Sequence, residues 1–121
     1  MRKKILAVDD DPAFIDFLRE SLTLEGYEVL AAFNGEEAVR IASAEKPDVV
    51  LLDIMMPQMH GYEACERIRA NEALAGTLIV ILSAKNYQVD QVTAKAVGAD
   101  HYLVKPFQFA ELLALIRANG G

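Results

Sequence analysis

Four short stretches of this sequence carry groups suited to holding phosphate or a hard cation: Asp9-Asp10-Asp11, Asp53, Ser83 and Lys105. Carboxylates are hard oxygen ligands, and magnesium usually takes one or two of them together with waters and a phosphate rather than an all-protein cage. A lysine ammonium and a serine hydroxyl can both donate to phosphoryl oxygens. Taken singly, each residue has an ordinary role. Asp11 suits a helix N-cap, Asp53 and Ser83 suit turns at strand ends, and Lys105 suits a surface position before the Pro106 turn. Other chemistry finds little support. His60 and His101 lie in separate segments without zinc-ligand spacing and suit solvated surface positions. Cys65 is the only cysteine, so it forms neither a disulfide within the chain nor a multi-thiolate site, and it reads as a small buried hydrophobe.

The elements that must position these groups follow from five apolar runs: Ile5–Val8, Val29–Ala32, Val49–Leu52, Leu78–Leu82 and Tyr102–Val104. They are continuous rather than alternating, as in parallel strands covered on both faces. Amphipathic segments lie between them. The first helix is expected from Pro12 with Asp11 as N-cap, a buried stripe of Phe14, Phe17, Leu18, Ser21 and Leu22, and an end at Gly26. Asn34 and Glu37 resemble a capping box for a second helix with Ala38, Val39 and Ala42 inward, closed by Pro47. Gly61 opens a third through Cys65 and Ile68. Val89, Val92 and Ala96 mark a fourth, and Phe109, Leu112, Leu113 and Ile116 a fifth.

The pattern is (βα)5, an α/β doubly wound fold with a five-stranded parallel sheet. Right-handed crossovers favour the flavodoxin-like order 2-1-3-4-5. In such sheets ligands bind beyond the carboxyl ends of the strands, near the point where the order reverses. Strands one and three flank that point, so Asp9, Asp10 and Asp53 should converge. Like charges that close call for a cation between them. Lys105 precedes a proline, where a cis peptide is far less costly than elsewhere and could aim the ammonium over the strand ends toward Asp53 or a phosphoryl oxygen. Ser83 would reach the same oxygen.

Length and charge narrow the class. The 121 residues suit one compact domain, with no room for a second. A formal net charge of -6 argues against a surface tracking nucleic-acid phosphates. No apolar stretch approaches the roughly 20 residues needed to cross a bilayer, and Met1-Arg2-Lys3-Lys4 runs straight into a strand rather than a signal-peptide core, so a cytoplasmic location is expected. Asn119-Gly120-Gly121 fits a linker as well as a frayed end, so it suits a stand-alone protein and a domain cut from a longer one alike.

The segments Val8–Pro12, Leu51–Gly61, Ser83-Ala84 and Gly98–Phe107 together resemble the motifs of response-regulator receiver domains, over nearly the whole chain. The resemblance implies a two-component signalling phosphoprotein, not a turnover enzyme, with Asp53 accepting a phosphoryl group from a sensor histidine kinase, a phosphotransfer protein or a small acyl phosphate. It implies magnesium, or manganese in its place, held by Asp10, Asp53 and the main-chain carbonyl of Met55, with Asp9 acting through water. Lys105 and Ser83 would hold phosphoryl oxygens. Ser83 and Tyr102 would then shift, altering the surface of the fourth helix, fifth strand and fifth helix that meets a downstream partner or attached output domain. Tyr102 suits a half-buried strand aromatic equally well.

Some positions depart from the common receiver pattern. His60 stands where many carry an aspartate, and neither it nor His101 is expected to touch the metal. Met55 and Lys85 flank the path of attacking water, and the apolar Met55 side chain orients it poorly, which implies slow self-dephosphorylation. His101 occupies a place where receivers that dimerise through the fourth helix, fifth strand and fifth helix often carry an acidic residue, which argues against that dimer. Three rivals are disfavoured. A haloacid-type phosphatase wants an acid where Met55 stands, a dinucleotide or flavin domain wants a glycine-rich turn where Asp9–Pro12 stands, and an unphosphorylated pseudo-receiver serving as an interaction module usually lacks one of the acceptor, acidic pair or lysine.

Overall fold

Successive strand residues present side chains to opposite faces of a sheet, and here both faces are apolar. The computed structural model describes residues 3–54, 61–83 and 95–118. Five strands, β1 (Lys4–Val8), β2 (Glu28–Ala32), β3 (Val49–Asp53), β4 (Leu78–Ser83) and β5 (His101–Val104), pair in parallel in the order β2-β1-β3-β4-β5. This is the expected flavodoxin-like arrangement. The three inner strands are almost fully buried, whereas the edge strands β2 and β5 are half covered.

The alternation along the inner strands divides the core in two. Ile5, Ala7, Val49, Leu51, Val80 and Leu82 pack against Ile15, Leu18 and Leu22 of α1 (Pro12–Leu24) and against Leu112 and Ile116 of the C-terminal helix, α4 (Phe109–Ala118). Leu6, Val8, Val50, Leu52 and Ile79 face the other way, onto Ala38 and Ala42 of α2 (Gly35–Glu45) and Ala64, Cys65 and Ile68 of α3 (Gly61–Ala70). Each fully buried Val, Leu or Ile side chain contributes about 1.5–3 kcal/mol relative to exposure. The strands are therefore locked in register, since a one-residue slip would exchange the two faces.

Helix ends follow local chemistry. The Asp11 carboxylate accepts from the Ala13 amide at 3.0 Å and caps α1, while Pro12 occupies the first turn, where its missing N–H costs nothing. Asn34 caps α2 by accepting from the Glu37 amide at 2.8 Å, but the reciprocal bond runs from the Phe33 amide to the Glu37 carboxylate at 3.0 Å, one residue earlier than a capping box has it. The buried stripe of α1 also differs from expectation. It is Ile15, Leu18 and Leu22, with Phe17 left 46% exposed. A helix brings residues three to four apart onto one face, and Ile15, Leu18 and Leu22 keep that spacing while Phe17 lies one position off it. Of the helix expected around Val89–Ala96, only Lys95 and Ala96 fall within the described residues, and both are helical. A short 3-10 turn at Glu72–Leu74, unexpected from the sequence, links α3 to β4. No helix among the described residues is long and apolar enough to cross a membrane.

Candidate functional site

Strand ends deliver the polar residues to one edge of the sheet. Val8 pairs with Leu52, which sets Asp9 level with Asp53 on the neighbouring strand, and Asp53 in turn pairs with Leu82. The ladder runs on past the strand ends: the Asp9 amide donates to Ala32 O at 3.2 Å, the Ile54 amide to Leu82 O at 3.2 Å and the Lys105 amide to Ser83 O at 2.6 Å. The backbone on which the site is mounted is thus held by the sheet rather than by loops, which favours a precise geometry.

Asp9, Asp10 and Asp53 each present a carboxylate oxygen, all within 4.8 Å of one another. Asp9 is 2% exposed and Asp53 7%, while Asp10 is open to solvent. Three like charges that close repel, and Lys105 offsets one of them, its Nζ lying 2.6 Å from Asp9 Oδ2. The partner of Lys105 is therefore Asp9, where the sequence suggested Asp53 or a phosphoryl oxygen. The other Asp9 oxygen accepts from the Asp11 amide at 3.0 Å, so both are engaged by the chain itself. The Lys105–Pro106 peptide is cis.

Ser83 ends β4 fully buried, and its hydroxyl makes no hydrogen bond among the described residues. A buried hydroxyl without a partner is costly in a finished core and suits a site awaiting a ligand oxygen. The donor set fits a magnesium ion and a phosphoryl group: hard oxygens on one side, an ammonium and a free hydroxyl on the other. Tyr102 lies half-buried on β5, packed against a small cluster of Ile54, which follows Asp53, and Ile81, two residues before Ser83. His101 is also half-buried on β5. Met55, His60, Ala84 and Lys85 lie outside the described residues.

A family model described as the response regulator receiver domain matches residues 5–117. This chain belongs to the response-regulator receiver family. Solved receivers agree over almost its whole length. Chemotaxis protein CheY4 of Vibrio cholerae is 34% identical, with 98% of each chain covered and a TM-score of 0.90. A putative response regulator of Chloroflexus aurantiacus is 31% identical, with 98% of each chain covered and a TM-score of 0.90. The receiver domain of a sensor histidine kinase from Pseudomonas aeruginosa is 34% identical over 100% of both chains, with a TM-score of 0.88, and holds a magnesium ion coordinated in its active-site cleft.

Three features of this receiver escape sequence reasoning. Gly61 opens α3 so close to the end of β3 that a Cβ there would lie 2.5 Å from Asp53 O and Ile54 Cα, and its amide donates to Ile54 O at 2.7 Å. Phe14 of α1 stands with its ring centroid 4.2 Å from Lys105 Nζ. Arg69 binds three segments at once, as described below. Only Gly61 carries a sequence signal, a glycine where a helix begins, whereas the other two depend on contacts between distant segments. Cys65 is buried in the α3 face of the core and donates to Val97 O at 3.4 Å. Burial pushes its thiol up to about 11, which makes it chemically inert at neutral pH.

Proposed function

We propose that this receiver is a phosphorylation switch, in the cytoplasm, with Asp53 as the phosphoacceptor. The observation that carries the reading is the convergence of three carboxylates within 4.8 Å of one another beside the Lys105 ammonium. An Asp53 carboxylate oxygen attacks phosphorus in line. The new O–P bond forms as the bond to a histidine nitrogen or an acyl oxygen breaks, and the electron pair departs with that leaving group. Lys105 and Ser83 donate to phosphoryl oxygens, Lys105 turning from Asp9 toward them. The protein thereby does what phosphoryl transfer chiefly asks, which is to position reactants and meet developing charge with fixed donors. Magnesium, when bound, would supply further neutralisation, held by Asp10 and Asp53, with Asp9, whose oxygens are already engaged, acting through water.

The donor would be a histidine kinase, a phosphotransfer protein or a small acyl phosphate. Phosphorylation draws Ser83 inward and shifts the population of the β5 surface that carries Tyr102, the kind of bias a new dianionic group supplies to a two-state element. The product is a labile acyl phosphate that acts as a signal, so the chain serves as a stoichiometric acceptor rather than a turnover enzyme. Incubation with acetyl phosphate and magnesium, followed by intact-mass measurement, tests this. One phosphate adduct is expected on the wild type and none on Asp53→Asn. An unmodified wild type, or an adduct that persists in the variant, would refute it.

A further inference from the structure

We propose that Phe14 is a positioning residue for Lys105, holding its ammonium in the phosphoryl site through the face of the ring. The inference rests on the phosphoacceptor reading of the site and extends it to a residue outside the polar set. Lys105 carries its charge on a flexible four-carbon stem with substantial rotamer freedom, and its side chain is 26% exposed. One ion pair fixes the distance of such a head group from a single point and leaves it free to swing. The second restraint is the Phe14 ring, with Nζ 4.2 Å from its centroid, within the range at which the negative ring face attracts a cation.

The ring is itself held. Phe107, two residues after Lys105, meets Phe14 edge to face at 6.2 Å and 81°, a favoured geometry for aromatic pairs. Phe14 sits in the first turn of α1, whose start is tied to Asp9 through the Asp11 amide and capped by the Asp11 side chain. The two segments that make the Lys105–Asp9 ion pair, Asp9–Phe14 and Lys105–Phe107, therefore also build the aromatic cradle. When the ammonium leaves Asp9 for a phosphoryl oxygen, the ring face still attracts it and limits its excursion toward solvent.

Phe14 also packs on the edge of the core, so the test must separate the ring face from apolar bulk. Phe14→Leu keeps an apolar side chain without a π face, and Phe14→Tyr keeps the ring. Phosphate uptake from acetyl phosphate with magnesium is expected to slow about three- to tenfold in Phe14→Leu and to recover to within about twofold of wild type in Phe14→Tyr. The Lys105 ε-methylene protons, shifted upfield by the ring in wild type and Phe14→Tyr, are expected to move toward ordinary lysine values in Phe14→Leu by NMR. Equal rates in wild type and Phe14→Leu, or a Phe14→Tyr as slow as Phe14→Leu, would overturn the role of Phe14 alone. A Lys105 resonance unmoved by Phe14→Leu would overturn the placement. A wild type that takes up no phosphate would instead overturn the phosphoacceptor reading, leaving the NMR shift to decide the placement.

Discussion

A methyl group at position 61 would collide with the carbonyl of Asp53, since an added Cβ falls 2.5 Å from that oxygen and from Ile54 Cα. Both obstacles are backbone at the end of β3, so neither can yield without moving Asp53. Gly61→Ala is expected to cost about 1–3 kcal/mol, the usual range for overpacking, and to slow phosphorylation through displacement of Asp53. Urea unfolding midpoints and acetyl phosphate uptake check the two effects separately. At this scale the residue types were legible in the sequence: Asp9, Asp10, Asp53, Ser83 and Lys105 each stand at a strand end. Their pairing was not. Lys105 reaches Asp9 because Asp9 is the buried carboxylate of the adjacent pair and Asp10 points to solvent, a choice set by burial rather than by spacing.

Between elements, Arg69 at the end of α3 acts as a clamp. Its Nε donates to Gly98 O at 3.0 Å, one terminal nitrogen to Leu74 O at 3.3 Å and Ala75 O at 3.1 Å, and the other to Asp100 Oδ2 at 2.9 Å. Asp100 Oδ2 also accepts from the Ile79 amide of β4 at 2.8 Å. One planar guanidinium thus ties α3, the 3-10 turn and the approach to β5, the strand that carries Tyr102 and leads to Lys105. Gly98 admits it, because its φ of 97° favours glycine and a Cβ there would meet Arg69 Cγ at 2.6 Å. Arg69→Met keeps the aliphatic stem but removes these donors. It is expected to lower stability by about 1.5–3 kcal/mol, in line with hydrogen bonds to charged groups, and to speed hydrogen exchange at the Ile79 amide. Unchanged unfolding and exchange would show the clamp to be ornamental. Sequence periodicity located the strands to within a residue at each end, yet gave no sign of the clamp, whose partners lie up to 31 positions away.

For the whole molecule, the acidic pocket sets a linkage between cation binding and folding. Three carboxylates offset by one ammonium leave local repulsion that the unfolded chain does not feel, and a magnesium ion bound there would relieve it only in the native state. A ligand that binds the native form alone stabilises it by about 2.7 kcal/mol at a hundred times its Kd. Thermal unfolding is therefore expected to shift upward on adding magnesium, to return to its starting point with EDTA, and to show little response in Asp10→Asn. An unfolding temperature indifferent to magnesium would mean that this pocket is no cation site. The formal net charge of -6 gives added salt a weaker general effect, so sodium at matched ionic strength serves as the control.

The sequence by itself determined the architecture and the identity of the polar groups gathered at one sheet edge. Five apolar runs without alternation demand a sheet covered on both faces, and a parallel sheet places every strand's carboxyl end at one edge, so residues far apart in the chain had to meet there. Tertiary structure decided what no local pattern encodes: which carboxylate takes the lysine, how near Gly61 lies to Asp53, that Arg69 joins three segments, and that Phe14 turns its ring to Lys105. The division has a physical cause. Strand periodicity repeats through neighbouring residues and leaves its mark on the sequence, whereas an ion pair across 96 positions or a ring facing an ammonium depends on the angles at which packed elements meet, and those exist only once the core is closed.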